Sequence, residues 1–252
     1  MEFILGLLIA TAVGLTGVGG GSLTAPLLIL ALGVPAAEAV GTALLFVTLT
    51  KLVATPVYFF RGQVVWSTAL RMMAGGLPGV IVGSIVLSKM RASTLEPYVL
   101  TMIGATIVVL ALVSFCRLLR SRQDRAGGSK EKCLPWIALP IGLEVGFSSA
   151  GAGALGTLAL MECTALSPGQ VVATDLVFGL VISAVGGGLH LAEGNLNQQI
   201  LLGLCAGGVI GALAGAWLGT RVPARPLRAG LTLFLVFLGG QLSWRGLQVL
   251  VR

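Results

Sequence analysis

The chain has 252 residues, of which 56% are hydrophobic and only 10% charged, and its mean hydropathy is +1.00. A soluble domain carries about 25% charged residues, so this composition excludes an ordinary soluble protein. The net charge of +7 does not indicate nucleic-acid binding, because six basic residues fall in one short stretch, as in the loops of membrane proteins. These residues are Arg117, Arg120, Arg122, Arg125, Lys130 and Lys132.

Eight hydrophobic segments follow one another along the chain, and a spanning helix needs about 20 largely apolar residues. The segments cover residues 3–33, 36–60, 67–88, 94–119, 134–161, 168–192, 198–219 and 226–250. Alternating patterns typical of a β-barrel are absent, so the predicted fold class is an all-α integral membrane protein. No basic region opens the chain, and we therefore expect its first segment to be part of the mature protein and not a cleaved signal peptide.

Segments one and five each contain a stretch that disfavours a continuous helix. Four of the five positions 17–21 are glycine, and each glycine costs about 1 kcal/mol in a helix interior. Segment five has Ser148-Ser149-Ala150-Gly151-Ala152-Gly153 at the matching place. We therefore predict two half-helices in each segment, joined by unwound backbone. Such backbone is tolerated at membrane depth only where protein buries it or it lines a cavity, so both joints indicate a site.

The half-helices after these joints begin with free backbone N–H groups and a positive dipole end. Two such N-termini that meet near the midplane can bind an anion without any charged residue. The predicted substrate-binding residues at the joints are Gly19, Gly20, Gly21, Ser22, Thr24, Ser148, Ser149, Gly151 and Gly153, with the Thr157 hydroxyl nearby. The alternative is that the glycines serve helix packing only.

Lys51 lies well inside segment two, where a charge costs about 2.5–3.5 kcal/mol on insertion scales. An ammonium group at this depth suits an anionic substrate, and we include Lys51 among the predicted substrate-binding residues. Two alternatives stay open. Lys51 could form an ion pair with Asp175 or Glu144, or its side chain could extend toward the membrane interface.

Segments three and seven carry glycine at every fourth position, which gives one helix face a smooth groove and allows close backbone approach. The glycines are Gly75, Gly79 and Gly83 in segment three, and Gly207, Gly211, Gly215 and Gly219 in segment seven. Helix packing is the preferred interpretation, and a sliding surface is the alternative. The same faces also allow a homodimer.

The basic stretch at 117–132 predicts a cytoplasmic loop. The next basic cluster, at Arg221, Arg225 and Arg228, follows three segments later. If it is also cytoplasmic, one of these three segments does not cross, and the broken segment five is the candidate for a re-entrant hairpin. The two halves then have inverted topology, as in many secondary transporters. The alternative is eight full spans with parallel halves.

Asp175 and Glu144 are two carboxylates inside predicted membrane segments, and such groups are often functional. A buried carboxyl group can take up and release a proton, so both residues are candidates for coupling transport to H⁺ or Na⁺. The alternative for Glu144 is a shallow position near the cytoplasmic interface.

The remaining residues give little support for catalysis or cofactor binding. Cys116, Cys133, Cys163 and Cys205 form no metal-binding spacing with the single histidine, and a buried cysteine usually acts as a small apolar residue. The glycine run lacks the Lys-Ser/Thr of a phosphate-binding loop. His190 is expected to be a hydrogen-bonded interfacial residue, with a proton relay as the alternative. We therefore predict no enzyme activity, no metal and no cofactor.

The two halves of the chain repeat each other at a constant offset of 132, since residues 13–92 align with 145–224 without a gap (145 − 13 = 132). Of the 80 aligned pairs 19 are identical and eight are glycine on glycine, where glycine content alone gives roughly two. Lys51 aligns with Ser183, and Asp175 with Ala43. Repeats of this length are typical of duplicated transporter folds. The predicted division is a first repeat at 1–119, a basic linker at 120–133 and a second repeat at 134–252.

The run from Gly14 to Ser22, followed by Pro26 and by Val40-Gly41-Thr42-Ala43-Leu44, resembles the N-terminal signature of the sulfite exporter TauE/SafE family, also called the 4-toluene sulfonate uptake permeases. The resemblance covers nearly the whole chain. It implies a multi-pass carrier of the bacterial plasma membrane, with a small sulfur-containing anion such as sulfite, an organosulfonate or thiosulfate as substrate.

The leading functional hypothesis is a secondary transporter that works by alternating access between the two repeats. The alternatives are a passive anion channel and a carrier for a different small organic anion. The sequence leaves the anion, the direction of transport, the coupling ion and the oligomeric state open.

Overall fold

The computed structural model describes residues 2–16, 20–60, 62–90, 95–119, 131–151, 153–219 and 224–250. Over these residues the secondary structure is helical, without a strand, which confirms the all-α prediction. The helices are α1 (Glu2–Thr16), α2 (Gly21–Leu32), α3 (Ala36–Phe59), α4 (Trp66–Lys89), α5 (Glu96–Leu119), a short 3-10 helix (Glu131–Cys133), α6 (Leu134–Ser148), α7 (Ala154–Cys163), α8 (Pro168–Ala192), α9 (Gln198–Gly219) and α10 (Ala224–Leu250). The central part of the basic stretch, residues 120–130, lies outside the described residues.

Six of these helices are long and apolar enough to cross a membrane, namely α3, α4, α5, α8, α9 and α10. The protein is therefore a multi-pass membrane protein. Segment one of the sequence corresponds to α1 and α2, and segment five to α6 and α7, so both segments consist of two shorter helices.

Backbone conformation explains where α6 stops and α7 starts. Ser149 has a φ of 61° and Gly151 a φ of 91°, and residues in this left-handed region cannot continue a right-handed helix. The Ser149 N–H still donates to the Val145 carbonyl at 2.8 Å, which closes the last turn of α6. Helix α7 then begins after Gly153. In the other half, α2 begins after Gly20, and residues 17–19 of that joint lie outside the described part of the chain.

The glycine faces bring helix backbones into direct contact. Any side chain at Gly75, Gly79 or Gly83 of α4 would overlap the carbonyl oxygens of Pro135, Leu139 or Leu143 of α6, respectively. In the same way, Gly207 and Gly211 of α9 lie against the carbonyls of Phe3 and Leu7 of α1. Residue numbers rise together along both contacts, so α4 runs parallel to α6, and α9 runs parallel to α1.

Helices α3 and α8 pack against each other in opposite directions. Gly41 near the start of α3 lies against His190 near the end of α8, whereas Lys51 lies against Gly179. Between these contacts, the Thr48 hydroxyl donates to Ser183 Oγ at 3.1 Å. Two threonines on these helices hold the starts of the following helices, because Thr174 Oγ1 accepts from the Val65 N–H and Thr42 Oγ1 from the Asn197 N–H, each at 3.2 Å.

Helices α5 and α10 also pack in opposite directions. Gly104 lies against Gly239, and Gly246 lies against Thr101, so residue numbers fall along α10 as they rise along α5. The Ser243 hydroxyl donates to the Thr101 carbonyl at 3.4 Å across this contact.

Candidate functional site

The two helix breaks meet at the start of α2. A Cβ atom at Gly21 would overlap the carbonyl oxygen of Ser149 and would lie 2.6 Å from its hydroxyl oxygen. Glycine is thus required at the first position of α2, because the unwound backbone between α6 and α7 passes directly over it. A Cβ atom at Gly20, one residue earlier, would lie 3.4 Å or more from the side chains of Val13 and Val47, which is an ordinary van der Waals distance.

A small cavity lies at this meeting point, with a volume of about 10 Å³. Its lining comes from α2, α3, α6, α8 and the joint after α6. The lining residues are Gly21, Leu44, Val47, Lys51, Val145, Ser149, Gly151 and Ser183. A cavity of this size holds about one water molecule.

Lys51 is the cationic residue of the cavity. Its side chain extends from α3, is 8% exposed, and has no hydrogen-bond partner for Nζ among the described residues. The ammonium group lies against Gly179 of α8, where any side chain would overlap it. A buried charge without a hydrogen bond is costly, so Lys51 Nζ lies in an energetically unfavourable environment in this structure.

Ser149 supplies a second unsatisfied group. It is 3% exposed, and its hydroxyl oxygen has no hydrogen-bond partner within the described part of the chain. The left-handed backbone at this residue is uncommon for a non-glycine side chain and is typical of sites where neighbouring structure fixes the conformation. Ser183, by contrast, donates to the Gly179 carbonyl at 2.7 Å.

Asp175 lies one helical turn before Gly179 on α8 and faces the first turn of α7. Its Oδ2 accepts from the Thr157 hydroxyl at 3.0 Å, while Oδ1 has no hydrogen-bond partner among the residues that the structure describes. Oδ1 lies against Gly156, where a Cβ would overlap it. Asp175 and Lys51 attract each other electrostatically, although no hydrogen bond joins them.

Glu144 does not line this cavity, although its Cγ lies 3.6 Å from the position that a Cβ would occupy at Gly151. It borders a groove of about 470 Å³ between α5, α6 and α7, which is otherwise lined by apolar residues and Thr106. The Ser148 hydroxyl donates to Glu144 Oε1 at 2.6 Å, and Thr106 is a further hydrogen-bond partner. The Ala150 N–H in turn donates to Ser148 Oγ at 3.1 Å, so this serine links Glu144 to the joint.

Three other predicted site residues, Thr24, Ser22 and Gly153, are not among the residues that line the cavity. The Thr24 hydroxyl donates to the Gly20 carbonyl at 2.8 Å, within its own helix. Ser22 is half-buried, and Gly153 immediately precedes α7. Gly19 lies outside the described residues. The cavity therefore brings together Gly21, Lys51, Ser149 and Gly151 of the predicted set.

Sequence reasoning did not single out Val47, Val145, Gly156 or Gly179. For the two glycines, a sequence signal is visible only when the halves are aligned. Gly179 then pairs with Val47, and Gly156 pairs with Thr24 (179 − 47 = 132; 156 − 24 = 132). Each of these two glycines provides space for a charged side chain that the other half lacks.

His190 stabilises the end of α6. It is fully buried, and its Nε2 lies 3.2 Å from the Gly146 carbonyl oxygen, to which it donates. The last carbonyls of a helix lack partners within the helix, so this contact satisfies one of them. Among the described residues, no group of three or more His, Cys, Asp or Glu side chains is arranged to hold a metal ion.

Comparisons with known proteins give a family match and several relatives. A family model described as sulfite exporter TauE/SafE matches residues 2–242. Two Bacillus subtilis proteins, named "Probable membrane transporter protein YjnA" and "Probable membrane transporter protein YunE", are 27% and 25% identical to the chain. The first match covers 89% of this chain and 92% of the relative, and the second covers 97% of each. A Xylella fastidiosa protein named "Probable membrane transporter protein" is 26% identical over 86% of this chain and 83% of its own length. No solved structure matches.

Proposed function

The chain belongs to the sulfite exporter TauE/SafE family, and we propose that it is a secondary transporter of a small sulfur-containing anion such as sulfite, an organosulfonate or thiosulfate. The observation that carries the proposal is the cavity where the two helix breaks meet. It contains a buried ammonium group and a buried hydroxyl group, neither of which has a hydrogen-bond partner among the described residues. An oxyanion can accept hydrogen bonds from both.

The charge of the cavity favours an anion over a cation or a neutral solute. Among the described residues, Lys51 is the only ionisable one in its lining. The Ser149 hydroxyl adds a hydrogen-bond donor. Hydrogen bonds to charged groups are about twice as strong as those between neutral groups. A sulfonate or sulfite oxygen placed beside Lys51 Nζ would remove the cost of its unpaired burial.

Alternating access between two inverted repeats is the mechanism we propose. Helices α3 and α8 align at the 132-residue offset and pack in opposite directions, and so do α5 and α10. The contact of Gly75 with Pro135 recurs as that of Gly207 with Phe3, and the Gly76–Phe178 contact recurs as Gly208–Phe46. Such recurrence supports two copies of one fold inserted in opposite senses, which is the usual basis of alternating access.

The size of the cavity supports a mechanism with moving parts. A space of about 10 Å³ holds one water molecule, whereas sulfite is several times larger. The contact of Gly21 with Ser149 must therefore open before an anion can lie beside Lys51. Separation of α2 from the joint after α6 would enlarge the site, and an anion that bridges Ser149 and Lys51 would hold it in the enlarged form.

We propose that the transporter lies in the plasma membrane and that its basic stretch at 117–132 lies in the cytoplasm. The reason is that cytoplasmic loops of membrane proteins carry an excess of Lys and Arg. Asp175 and Glu144 are the proposed coupling residues for H⁺ or Na⁺. They occupy different places, since Asp175 lies beside the Lys51 cavity and Glu144 borders the separate groove.

The proposal is tested by replacing Lys51 with methionine, which keeps the length of the side chain and removes its charge. Purified protein reconstituted in vesicles should lose at least about 90% of its sulfite or sulfonate transport, since one strong charge-assisted contact is worth about 1.4 kcal/mol or more. Lys89→Met is the matched control, because Lys89 is exposed at the end of α4. Its transport should be unchanged.

Three outcomes separate the functional classes. Equal transport by Lys51→Met and the wild type would overturn the role of Lys51. A wild-type uptake rate that is the same with and without a pH gradient or a sodium gradient would indicate a passive channel. A thermal-shift panel completes the test, because a ligand that binds only the folded state raises its apparent stability. Stabilisation by carboxylates and not by sulfur oxyanions would identify a carrier for a different organic anion.

A further inference from the structure

Helix α7 begins with its positive end facing a carboxylate of the protein itself. Among the described residues, no side chain caps the helix at Gly153, and the carboxylate of Asp175 lies against Gly156 and Thr157 in its first turn. A negative charge near a helix N-terminus is stabilised by the free N–H groups and the dipole there. The Thr157 hydroxyl fixes one carboxylate oxygen at 3.0 Å, whereas the other has no hydrogen-bond partner among the described residues.

The same carboxylate attracts the ammonium group of the cavity. Lys51 Nζ lies against Gly179, which is one helical turn from Asp175 on the same face of α8. Their charges attract, although neither Nζ nor Oδ1 has a hydrogen-bond partner in the part of the chain that the structure describes. Asp175 therefore faces both positive groups on which an anionic substrate would depend.

We propose that Asp175 is an internal competitor of the substrate: its carboxylate neutralises Lys51 and the α7 N-terminus in the empty site and must be protonated or displaced when an anion binds. The inference rests on the proposed function and adds a rule for coupling to it. Two negative groups close together in a buried site repel each other, and one of them favours its protonated form. The anion and a proton on Asp175 should therefore bind together, which makes the protein an anion–proton cotransporter.

The sign of the pH dependence follows from this charge balance. At low pH Asp175 is neutral, so Lys51 and the α7 N-terminus are free to attract the anion, and affinity is high. At high pH the carboxylate competes, and affinity is low. Asparagine at this position imitates the neutral form at every pH.

Few other charges of the packed helices lie near Asp175 within the described part of the chain. Helix α3 contributes Lys51, and α6 contributes Glu144, which is hydrogen-bonded to Ser148 and Thr106. The remaining acidic and basic residues of α3, α4 and α7 lie near helix ends: Glu38, Arg71, Lys89 and Glu162. On α8 itself, His190 bonds to Gly146, about four helical turns away from Asp175.

The test measures binding of an alkyl sulfonate to purified full-length protein between mildly acidic and mildly alkaline pH. A sulfonate keeps its single charge over this range, so any change in affinity comes from the protein. Wild-type affinity should rise as the pH falls. Asp175→Asn should bind about tenfold tighter than the wild type at alkaline pH, and its affinity should not vary with pH.

Thr157→Val keeps the test decisive if the asparagine variant folds poorly. It removes the hydrogen bond that holds Asp175 at α7 and leaves the carboxylate in place. Competition should weaken, so this variant should bind the sulfonate more tightly than the wild type and still respond to pH. Glu38→Gln, in the first turn of α3, serves as a control that should keep the wild-type pH dependence.

The results separate this inference from the proposed function. If the wild type binds sulfonate with a pH-independent affinity that Asp175→Asn does not change, the competitor role is overturned and the transporter proposal stands. Weaker binding by both Asp175→Asn and Thr157→Val would make these residues substrate contacts and would also overturn it. If the wild type binds no sulfur oxyanion at any pH, the proposed function itself fails.

Discussion

At the scale of single residues, each charged side chain near the cavity is matched by a glycine that provides its space. Lys51 lies against Gly179, and the corresponding pair in the other half is Ser183 with Val47. Asp175 lies against Gly156, and the corresponding pair is Ala43 with Thr24. A large residue has been exchanged for a small one on opposite sides of each contact, so the total volume is nearly kept. The packing around Lys51 and Asp175 is thus specific to these two charged side chains.

Gly21 is the residue at which a single methyl group should have the largest effect on the site. In Gly21→Ala, the new Cβ would overlap the Ser149 backbone and force the two joints apart. Over-packing of this kind costs about 1–3 kcal/mol. We expect a lower unfolding temperature in detergent and reduced anion transport.

Gly20→Ala is the matched control for this prediction. Its Cβ would lie 3.4 Å or more from the nearest side chains, and its backbone φ of −58° suits alanine. Its stability should stay within about 0.5 kcal/mol of the wild type. Equal stability and equal transport of the two variants would contradict a tight contact between Gly21 and Ser149.

Side-chain direction marks the limit of prediction at this scale. The sequence indicates that Thr24 and Ser148 lie near the joints, yet the Thr24 hydroxyl bonds to Gly20 and the Ser148 hydroxyl to Glu144. A threonine within a helix commonly donates to the carbonyl four residues earlier, and this local option competes with any distant partner. Lys51 differs because its length allows it to reach another helix, where the sequence alone cannot identify the neighbour.

At the scale of helices, glycine content locates the breaks in segments one and five, and glycine spacing locates the closest helix contacts. Four glycines in positions 17–21 are incompatible with a stable helix, and α2 indeed begins at Gly21. The spacing in α4 predicts a smooth face, but it does not reveal that the partner is α6 from the other half of the chain. Partner choice depends on long-range packing that no local pattern contains.

The two glycine faces should respond alike to the same substitution. A Cβ at Gly79 would overlap the Leu139 carbonyl, and a Cβ at the aligned Gly211 would overlap the Leu7 carbonyl. Backbone atoms cannot rotate away as side chains do, so each of Gly79→Ala and Gly211→Ala should lose about 1–3 kcal/mol of stability. Thermal unfolding of the purified variants measures both losses.

Gly188→Ala provides the control for these helix contacts. Gly188 lies in α8, and no atom of another described helix comes within 4 Å of the place that an alanine methyl group would occupy. Alanine therefore adds helix propensity without overlap, and this variant should be as stable as the wild type or more stable by up to about 1 kcal/mol. If Gly79→Ala lost much stability and Gly211→Ala lost none, the two glycine faces would not have equivalent roles.

At the scale of the whole molecule, helices of one half pack against helices of the other half. The first helix of one half packs against a helix of the other, as α1 does with α9 and α6 with α4. Neither half could bury its glycine faces alone, so the two halves are expected to fold as one unit. The 132-residue offset predicts which helices correspond, whereas their mutual arrangement follows only from contacts such as those of Thr42 with Asn197 and Thr174 with Val65.

The proposed inverted topology makes a direct prediction for the connecting loops. Pro35 precedes α3, and Ser167 occupies the aligned position before α8 (167 − 35 = 132). Because α3 and α8 run in opposite directions, these two exposed residues should lie on opposite sides of the membrane. Gln63 after α3 lies 3.0 Å from the side-chain position at Gly169 and should share the side of Ser167.

The measurement uses a parent in which the four native cysteines are replaced by alanine, with a single cysteine placed in turn by Pro35→Cys, Gln63→Cys or Ser167→Cys. A membrane-impermeant maleimide is applied to intact cells and, separately, to permeabilised cells. The cysteines at 63 and 167 should react under the same condition, and the cysteine at 35 under the opposite one. Reaction of the cysteines at 35 and 167 from one side would establish parallel repeats, and alternating access would then need a different structural basis from the exchange of two inverted halves.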